Sequence, residues 1–395
     1  MRATVGFSDN PDTIAAGEQA ALAAIGGEAH KPDLVLLFST ARHDPAILQK
    51  SVASVIGAAV PIYGGIAIGA ISAERFGYSG DQLVLAAIWL EGASYEAIVE
   101  HMCDGGEGAA GARIGKRLKE LGAGEPNSSI LLFYDTFRQE EGKPVKMFMA
   151  MPLLAGIEAE LGFLPELAGA GLMGDLMDSP SALWTGSQVE EHVAVALYFS
   201  GVQMDIVIMH GCRPSTDYYT VTKADSQTIL EINHEPALAF MQKVLGSVIA
   251  PEAYPFFLIL GVNQGEKWGE FDEESYASRL CLAIDTERSG IVMFEPDMVE
   301  GTEFQIMHRS MELDYMPPRM QQLFDALGER KPALALYINC AGRAGYGNIE
   351  DALVVQQAVQ GKVPLVGIYS GVEIAPVKGR SRGLDWTGVF CLFSS

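Results

Sequence analysis

A cysteine and an arginine three residues apart are the side chains of this sequence best placed for chemistry. Cys340 and Arg343 both follow the apolar run ALALYIN at 333–339. Because α/β folds commonly expose side chains to a crevice at the carboxyl end of a buried strand, we expect both residues to face such a crevice. The planar guanidinium of Arg343 has five N–H donors, which suit a carboxylate or another planar anion.

Glu373 adds a carboxylate to the same part of the chain, within the glycine-rich segment VGIYSGVEI at 366–374. This carboxylate can accept an ammonium group, so Arg343 and Glu373 facing one cleft would suit a zwitterion such as an amino acid. The alternative is that the two side chains form a structural ion pair with each other, because such pairs are common and weakly stabilising. The sequence leaves both interpretations open.

An enzyme that uses Cys340 as a nucleophile is the alternative from another functional class. It requires a neighbouring group that lowers the pKa of the thiol, and no histidine lies near Cys340 in the sequence. Cysteine is among the residue types most often buried, which favours core packing. The stretch GAGLMG at 169–174 matches a dinucleotide-binding pattern, but DLMDSP follows it where a helix is required, so we predict a strand there. We expect no catalytic residue.

The seven histidines raise a haem hypothesis, because axial ligation needs only one of them. Their spacing is not typical of a metal-binding pair. His192 begins the apolar run HVAVALYF and would be the haem ligand if its ring projected into a cavity. We predict no cofactor, with haem at His192 as the alternative.

The composition favours a folded protein that stays in the cytoplasm. The chain of 395 residues is 49% hydrophobic and 19% charged, which is ample apolar material for a core. Its formal net charge of −23 would repel nucleic acid and an anionic membrane surface. Its apolar runs are shorter than the roughly 18 residues of a membrane helix. The five cysteines are odd in number and far apart, which is typical of reduced thiols.

One supersecondary pattern occurs three times and must position these side chains. Each copy has an apolar strand, a polar bend, a helix, a Gly or Pro break, a glycine-rich strand and a final apolar strand. The three first strands are DLVLLFS, ILLFY and ALALYIN. Asp44, Pro45 and Gly57 predict the start and end of the first helix, and Asn348 is predicted to cap the last one.

We therefore predict an α/β protein of two domains, built from internally repeated units with packed sheets and outer helices in αββα-like layers. The N-terminal domain covers 1–204 and contains two units, at about 30–92 and 126–200, and the C-terminal domain covers 205–395. Two acidic, glycine-rich stretches, CDGGEGAAG and LGAGEP, are predicted to be connectors on either side of a basic helix at 113–121.

Three stretches resemble the FIST family, with its N-terminal and C-terminal domains, and the resemblance covers roughly residues 30–390. The most specific stretch is HGCRPSTDYYTVTKADSQTILEINHEPALAFMQKVLG at 210–246, which is similar to the family's junction of a Cys-Arg-Pro turn, a Val-Thr strand and a Pro-Ala-led helix. NCAGR at 339–343 and GIYSGVEIAP at 367–376 resemble the family's Cys-x-x-Arg and Gly-Glu elements.

The resemblance implies a bacterial sensory module that binds a small ligand and signals to a separate protein such as a histidine kinase. Amino acids or related metabolites are the implied ligands, and a haem-dependent nitric-oxide sensor of the same family is the alternative. The chain departs from many relatives at Leu384, Asp385 and Trp386, where those relatives carry a polar His-Asn-like pair. The identity of the ligand is therefore not carried over.

We expect the ligand in an inter-domain cleft that closes around it. Arg343 would hold an anionic group, Glu373 and Tyr369 would contact polar or cationic parts, and the matching strand end of the first repeat would complete the pocket. The predicted ligand-binding residues are Ser39, Thr40, Gly64, Gly65, Asn339, Cys340, Arg343, Tyr369, Gly371 and Glu373.

Overall fold

The computed structural model describes residues 1–78, 80–125, 127–138, 146–174, 181–246, 249–345 and 350–395 of the chain. It is built from three repeats, the last of which contains a long insertion. Each repeat has an edge strand before the predicted pattern, so the repeats are longer than the sequence pattern indicated. Among the helices described, none is long and apolar enough to cross a lipid bilayer.

The first two repeats follow one another directly. The elements of the first are β1 (Arg2–Ser8), α1 (Thr13–Ile25), β2 (Leu34–Ser39), α2 (Pro45–Ile56), β3 (Ile62–Ile66), β4 (Gly69–Ser72), β5 (Phe76–Tyr78) and β6 (Leu83–Trp89). The elements of the second are β7 (Ser94–His101), α3 (Gly106–Glu120), β8 (Ser128–Asp135), β9 (Phe137–Arg138), β10 (Lys146–Met147), α4 (Ala150–Leu161), β11 (Ala168–Leu172), β12 (Leu183–Gly186), β13 (Val189–Glu190) and β14 (Val193–Ser200).

The third repeat is interrupted after its first strand, β15 (Gln203–Met209). The insertion contains β16 (Cys212–Pro214), β17 (Tyr219–Asp225), β18 (Thr228–Ile232), β19 (Glu235–Pro236), α5 (Ala237–Leu245), α6 (Tyr254–Phe257), β20 (Ile259–Asn263), β21 (Tyr276–Asp285), β22 (Gly290–Met293) and β23 (Glu303–Arg309). The repeat then continues with α7 (Met316–Ala326), β24 (Pro332–Cys340), α8 (Asp351–Val359), β25 (Leu365–Ser370), β26 (Val372–Val377), β27 (Arg380–Leu384) and β28 (Gly388–Ser394).

The helix α2 begins and ends where the sequence predicts. The side chain of Asp44 accepts a hydrogen bond from the amide of Ile47 at 2.8 Å, and Pro45 occupies the first turn. Gly57, with a φ of 108°, follows the last turn. The predicted cap of the last helix, Asn348, lies outside the described residues.

The first predicted connector is wrong, because α3 begins within it at Gly106. Its small residues let α3 pack closely on α4. A Cβ added to Gly111 would lie 2.0 Å from the carbonyl oxygen of Leu153. The glycines and alanines of this stretch therefore mark a helix contact rather than a linker.

Each repeat supplies four adjacent strands of one six-stranded sheet, in the same internal order and including one edge strand. The two strands joined by the second helix of a repeat are parallel, and the final strand of the repeat pairs antiparallel with the first of them. The three strand orders are β1-β6-β2-β3-β12-β13, β7-β14-β8-β11-β26-β27 and β15-β28-β24-β25-β4-β5.

Every repeat also lends strands to the sheet of a neighbour. β4 of the first repeat pairs with β25 of the third, β12 of the second pairs with β3 of the first, and β26 of the third pairs with β11 of the second. The exchange is cyclic, so each repeat needs a neighbour to complete its sheet. The predicted boundary between residues 204 and 205 falls within β15, close to its start, and two of these three pairings cross it.

The inner faces of the three sheets share one apolar core, and helices cover their outer faces. Phe38 and Phe133 meet edge to face in this core, with their ring centroids 5.3 Å apart. α1 and α2 cover the first sheet, α3 and α4 the second, and α7 and α8 the third. The prediction of an α/β protein with packed sheets inside and helices outside is confirmed.

The insertion forms a small closed barrel. Its strand order is β23-β17-β18-β22-β21-β20, and β20 pairs back with β23. Where the barrel leaves the third repeat, β16 pairs with the end of β23, with Cys212 opposite Arg309. The amide of Ser310 donates to the carbonyl of Gly211 at 2.8 Å beside this pair. Two adjacent chain segments, at 209–212 and 309–316, therefore join the barrel to the sheets, and we call them the neck.

Three equivalent glycines let the parallel strands of each repeat approach closely. They occupy the same register position in β3, β11 and β25, and they are Gly64, Gly169 and Gly367. A Cβ added to Gly169 would lie 1.8 Å from the carbonyl oxygen of Leu132, and one added to Gly64 would lie 2.1 Å from that of Leu37. These positions therefore exclude every larger residue.

Replacing Gly169 with Ala is expected to lower the free energy of unfolding by about 3 kcal/mol, because the strand must move to relieve the contact with Leu132. Urea denaturation measures this loss. Gly108→Ala in α3 is the matched control, since the nearest atom to its added Cβ is 3.8 Å away, and its stability should be unchanged or slightly higher. Equal stability of the two variants would contradict the close-approach explanation.

Candidate functional site

One cavity lies where the three repeats exchange strands. Ile68, Met173 and Gly371 each lie four residues after one of the equivalent glycines, where the chain leaves one sheet for the next. All three line a cavity of about 280 Å³. Its volume matches that of about nine water molecules at liquid density. Because each repeat contributes the same position, the cavity lies on the pseudo-threefold axis, and we call it the axial pocket.

The remaining walls of the axial pocket come from the third repeat and from the barrel. The third repeat contributes Cys340, Ala341, Gly342, Ser370, Asp385 and Trp386. The barrel contributes Pro255, Leu280 and Phe294. The walls of the pocket are mostly apolar. Among the described residues that line it, Asp385 is the one that belongs to the Asp, Glu, Lys and Arg types.

Asp385 links the third repeat to the barrel. It is buried, and its Oδ2 accepts a hydrogen bond from the amide of Leu280 at 2.8 Å. Burial raises the pKa of Asp385 to about 6, and the charge of Arg279 together with the Leu280 amide opposes a larger rise. The carboxyl is therefore mostly ionised at neutral pH.

Trp386 forms a wall of the pocket because the chain turns sharply there. Its φ of 52° lies in the left-handed region. The guanidinium carbon of Arg309 lies 3.7 Å from the centroid of the indole, in a cation–π contact. Trp386 lines the axial pocket, whereas Arg309 does not.

Burial disfavours the charged forms of Glu373 and Cys340 beside the pocket. The hydroxyl of Ser370 donates to Oε1 of Glu373 at 2.8 Å, and the amide of Thr387 donates to its other oxygen at 3.3 Å. Burial raises the pKa of Glu373 well above its usual range. Burial and the neighbouring Glu373 also raise the pKa of Cys340. A thiol held neutral is a poor nucleophile, which opposes the enzyme alternative.

Arg343 lies in a buried ion pair with Asp351 and uses all five of its N–H donors there. Nε donates to Oδ2 of Asp351 at 2.7 Å. The full set of acceptors is the carboxylate of Asp351, the hydroxyl of Tyr315 and the carbonyl oxygens of Met209 and Trp386. The predicted alternative of a pair with Glu373 is corrected, because the ionic partner is Asp351. In this arrangement Arg343 offers no donor to the anionic group of a ligand.

Of the ten predicted ligand-binding residues, Cys340 and Gly371 line the axial pocket, and Glu373 contacts it through Ser370. The amide side chain of Asn339 is fully buried and has no hydrogen-bond partner within the described part of the chain. Gly64 fits against β2 of its own sheet, and Gly65 fits against the chain at Ala182 and against the side chain of Leu172 in the second sheet.

Ser39, Thr40 and Tyr369 make structural contacts outside the pocket. The hydroxyl of Ser39 donates to the carbonyl of Thr40 at 3.2 Å, and that of Thr40 donates to the carbonyl of Gly80 at 2.5 Å. The hydroxyl of Tyr369 donates to the carboxylate of Glu350. The structure does not bring these three side chains to the axial pocket.

The sequence analysis did not predict most of the residues that line the axial pocket, although two features of the sequence indicated some of them. Ile68 and Met173 occupy the position of Gly371 when the three glycine-rich strands are aligned, so the repeat itself could have found them. Asp385 and Trp386 stood out as departures from the resembled family. The barrel residues carried no signal, because their place over the pocket depends on tertiary packing.

The residues around the axial pocket do not fit haem ligation. The ring of His192 packs against Phe148, with centroids 5.9 Å apart, and its amide donates to Asp135 at 2.7 Å, away from the pocket. Within the described residues no histidine lines the pocket, and the Cys340 thiol is held neutral. Nor does any group of three or more His, Cys, Asp and Glu side chains in the described ranges form a metal site.

A second depression, of about 440 Å³, lies on the outer side of the barrel. Trp268 beside it is 78% exposed. The ammonium of Lys267 lies 5.3 Å from the centroid of this indole. The depression has walls from the barrel and from Lys378, whereas the axial pocket has walls from all three repeats.

Glu295 connects the barrel to the second repeat. It directly follows the pocket residue Phe294, and its two carboxyl oxygens accept hydrogen bonds from the amides of Ala150 and Met151 at 2.9 Å each. These amides belong to the first turn of α4, which lacks acceptors within its own helix. Burial raises the pKa of Glu295 to about 8, against the opposing effects of the Met151 amide and the charge of Arg279.

Comparison with protein-family models matches residues 33–235 to the FIST N domain and residues 237–376 to the FIST C domain. Together the two matches cover nearly the whole chain.

The similar proteins are distant. An uncharacterized protein of Mycobacterium bovis is 25% identical over 204 residues, which are 50% of this chain and 53% of that protein. One of Mycobacterium tuberculosis is 26% identical over 205 residues, with the same shares of 50% and 53%. The chain thus spans about half the length of the curated relatives it matches. A crystal structure of cyanuric acid hydrolase from A. caulinodans is 13% identical with a TM-score of 0.25, covering 50% of this chain and 71% of that one.

Replacing Asp351 with Ala is expected to lower the free energy of unfolding by about 3–5 kcal/mol, because it leaves the charge of Arg343 buried without its ionic partner. Urea denaturation measures the loss. The double variant Arg343→Met with Asp351→Leu should regain most of it, since apolar groups can replace a buried pair at little cost. A double variant as unstable as the single one would argue against the ion pair as the cause.

Replacing Glu295 with Gln is expected to flatten the dependence of stability on pH. The folded carboxyl, with its pKa of about 8, keeps a proton that the unfolded chain releases above its ordinary pKa of 4.5. The wild-type free energy of unfolding therefore falls as the pH rises between these values. The substitution should reduce this slope by up to about 1.4 kcal/mol per pH unit.

Urea denaturation at several pH values between about 5 and 8 measures the slope. Glu266→Gln, at an exposed position of the barrel, is the matched control and should keep the wild-type slope. An unchanged slope in Glu295→Gln would show that the Glu295 carboxyl does not hold its proton in the folded protein.

Proposed function

The chain belongs to the FIST family, and on that premise we propose that it is a small-ligand sensor whose ligand occupies the axial pocket. FIST domains are associated with sensing in signal transduction. The observation that carries the proposal is the position of the pocket, because all three repeats and the barrel contribute to its wall. A ligand there touches four structural units at once.

The barrel is the unit that a ligand would hold in place. It reaches the pocket through Pro255, Leu280 and Phe294, and its chain joins the sheets only through the neck at 209–212 and 309–316. A ligand that contacts these residues and the axial positions binds the closed arrangement more tightly than an open one. It therefore shifts the population toward closure.

Glu295 offers a route from the pocket to the outer surface. Phe294 faces the ligand, and the next residue holds the first turn of α4. A shift of the barrel would change this contact and with it the packing of α4 on α3. We place the output on a separate protein, such as a histidine kinase, that reads this helical face. The net charge of −23 disfavours nucleic acid as the partner.

The expected amino-acid ligand needs revision at one point. A bound amino acid requires a partner for its carboxylate, and the five donors of Arg343 are already engaged. The proposal therefore keeps a small metabolite as the ligand and removes Arg343 from its recognition.

Protein purified from its natural host is expected to retain a small molecule that native mass spectrometry detects. Adding this molecule, or a hit from a metabolite library, to the emptied protein should raise its Tm, because the ligand binds only the folded state. Leu280→Trp should abolish the rise, since the larger ring fills the axial pocket. Differential scanning fluorimetry measures both.

Trp268→Ala, at the outer depression, is the matched control and should keep the full rise in Tm. A rise that survives Leu280→Trp and disappears in Trp268→Ala would place the ligand in the outer depression instead. A chain that retains no molecule and responds to no compound of the library would contradict the sensor function itself.

A further inference from the structure

The charges around the axial pocket are unbalanced in a way that bears on the chemistry of its ligand. Asp385 lines the pocket with a carboxylate that is buried and mostly ionised at neutral pH. Ser370 also lines the pocket, and its hydroxyl donates its proton to Glu373, so its oxygen keeps lone pairs that can accept a hydrogen bond. Both residues line the cavity, and the oxygen atoms of both side chains can accept hydrogen bonds.

The cations near the pocket are committed elsewhere. Arg279 is fully buried and donates to the carboxylate of Asp297 and to the carbonyl oxygens of Ser278 and Gly383. Arg343 is saturated by Asp351 and its other acceptors.

Arg309 stacks on the indole of Trp386, and neither it nor the two other arginines line the pocket. The carboxylate of Asp385 thus accepts a hydrogen bond from the amide of Leu280, and the residue lines the cavity.

We propose, resting on the sensor function above, that the axial pocket binds a small apolar molecule carrying a protonated amine, with the carboxylate of Asp385 as its partner. The ammonium donates to Asp385 and to the Ser370 hydroxyl oxygen. The apolar body packs on Ile68, Met173 and Phe294, one from each of the first two repeats and one from the barrel.

The physical case rests on what each ligand class would bring into a mostly apolar cavity. An amine supplies the direct ionic partner that Asp385 lacks among the described residues, and charge-assisted hydrogen bonds are stronger where water is excluded. The aromatic ring of Phe294 adds a favourable surface for a cation. A carboxylic acid, by contrast, would bring a second negative charge beside Asp385 with Glu373 nearby, which is costly in a cavity of low polarity.

Three probes of nearly equal shape test the proposal on the full chain. Cyclohexylmethylamine, cyclohexylmethanol and cyclohexanecarboxylic acid differ in the polar group on the same ring. Isothermal titration calorimetry at neutral pH is expected to show the amine binding at least about tenfold more tightly than the alcohol, and the acid binding weakest. Leu280→Trp should weaken the binding of the amine and the alcohol alike.

Asp385→Asn keeps an acceptor for the Leu280 amide and removes the charge. It is expected to lower the affinity for the amine by at least about tenfold while the affinity for the alcohol changes little. Glu266→Gln is the matched control, because it removes one negative charge from the exposed side of the barrel, and it should leave all three affinities unchanged. Should Asp385→Asn fail to fold, the ranking of the three probes on the wild-type chain still decides the question.

The outcomes separate this inference from the function on which it rests. Binding of the alcohol or the acid in preference to the amine, blocked by Leu280→Trp, would overturn the amine and leave the sensor function standing. An amine preference that Asp385→Asn leaves intact would overturn the role of Asp385. A lack of response to all three probes, together with no retained molecule, would count against both proposals.

Discussion

The cyclic exchange of strands is the constraint on which the rest of this structure depends. β3, β11 and β25 would each be an unpaired sheet edge in an isolated repeat, with free N–H and C=O groups. Each edge is covered by a strand from another repeat, so the three units satisfy their backbone hydrogen bonds only together. The crossings between sheets meet at one end of the axis. The same exchange that completes the sheets therefore gathers Ile68, Met173 and Gly371 around one cavity.

The repeat, the α/β class and the limits of α2 could be predicted because they depend on local patterns of apolar residues, caps and glycines. The partner of each exchanged strand could not. Periodicity states which face of a strand is buried, but it does not state which distant edge the strand will join. The barrel was not predicted for a related reason: its strands shift in register, as between Val221 and Lys223, and its closure depends on the pairing of β20 with the distant β23.

The candidate site, like the fold, could be predicted from the sequence only in part. The position of Cys340 at a strand end followed from the apolar run before it. The partners of Arg343 could not be predicted, because its five donors suit a ligand and a buried network equally well. The packing of Asp351, Tyr315 and two carbonyl groups around the guanidinium decides between the two. The interior thus pairs its arginines with carboxylates or aromatic rings, while Asp385, Glu373 and Glu295 lack a direct ionic partner among the described residues.

The neck would allow the barrel to move separately from the three sheets. Two hydrogen-bonded segments, near Cys212 and Arg309, form a single hinge, so the barrel can tilt as one body without breaking any pairing inside the three sheets. Asp385 with Leu280 and Glu295 with α4 then act as latches on the far side of that hinge. Tilting the barrel would also have to break the hydrogen bond from Arg279 to the carbonyl of Gly383 and the ion pair of Lys378 with Asp272, whereas the pairings within the three sheets would stay intact.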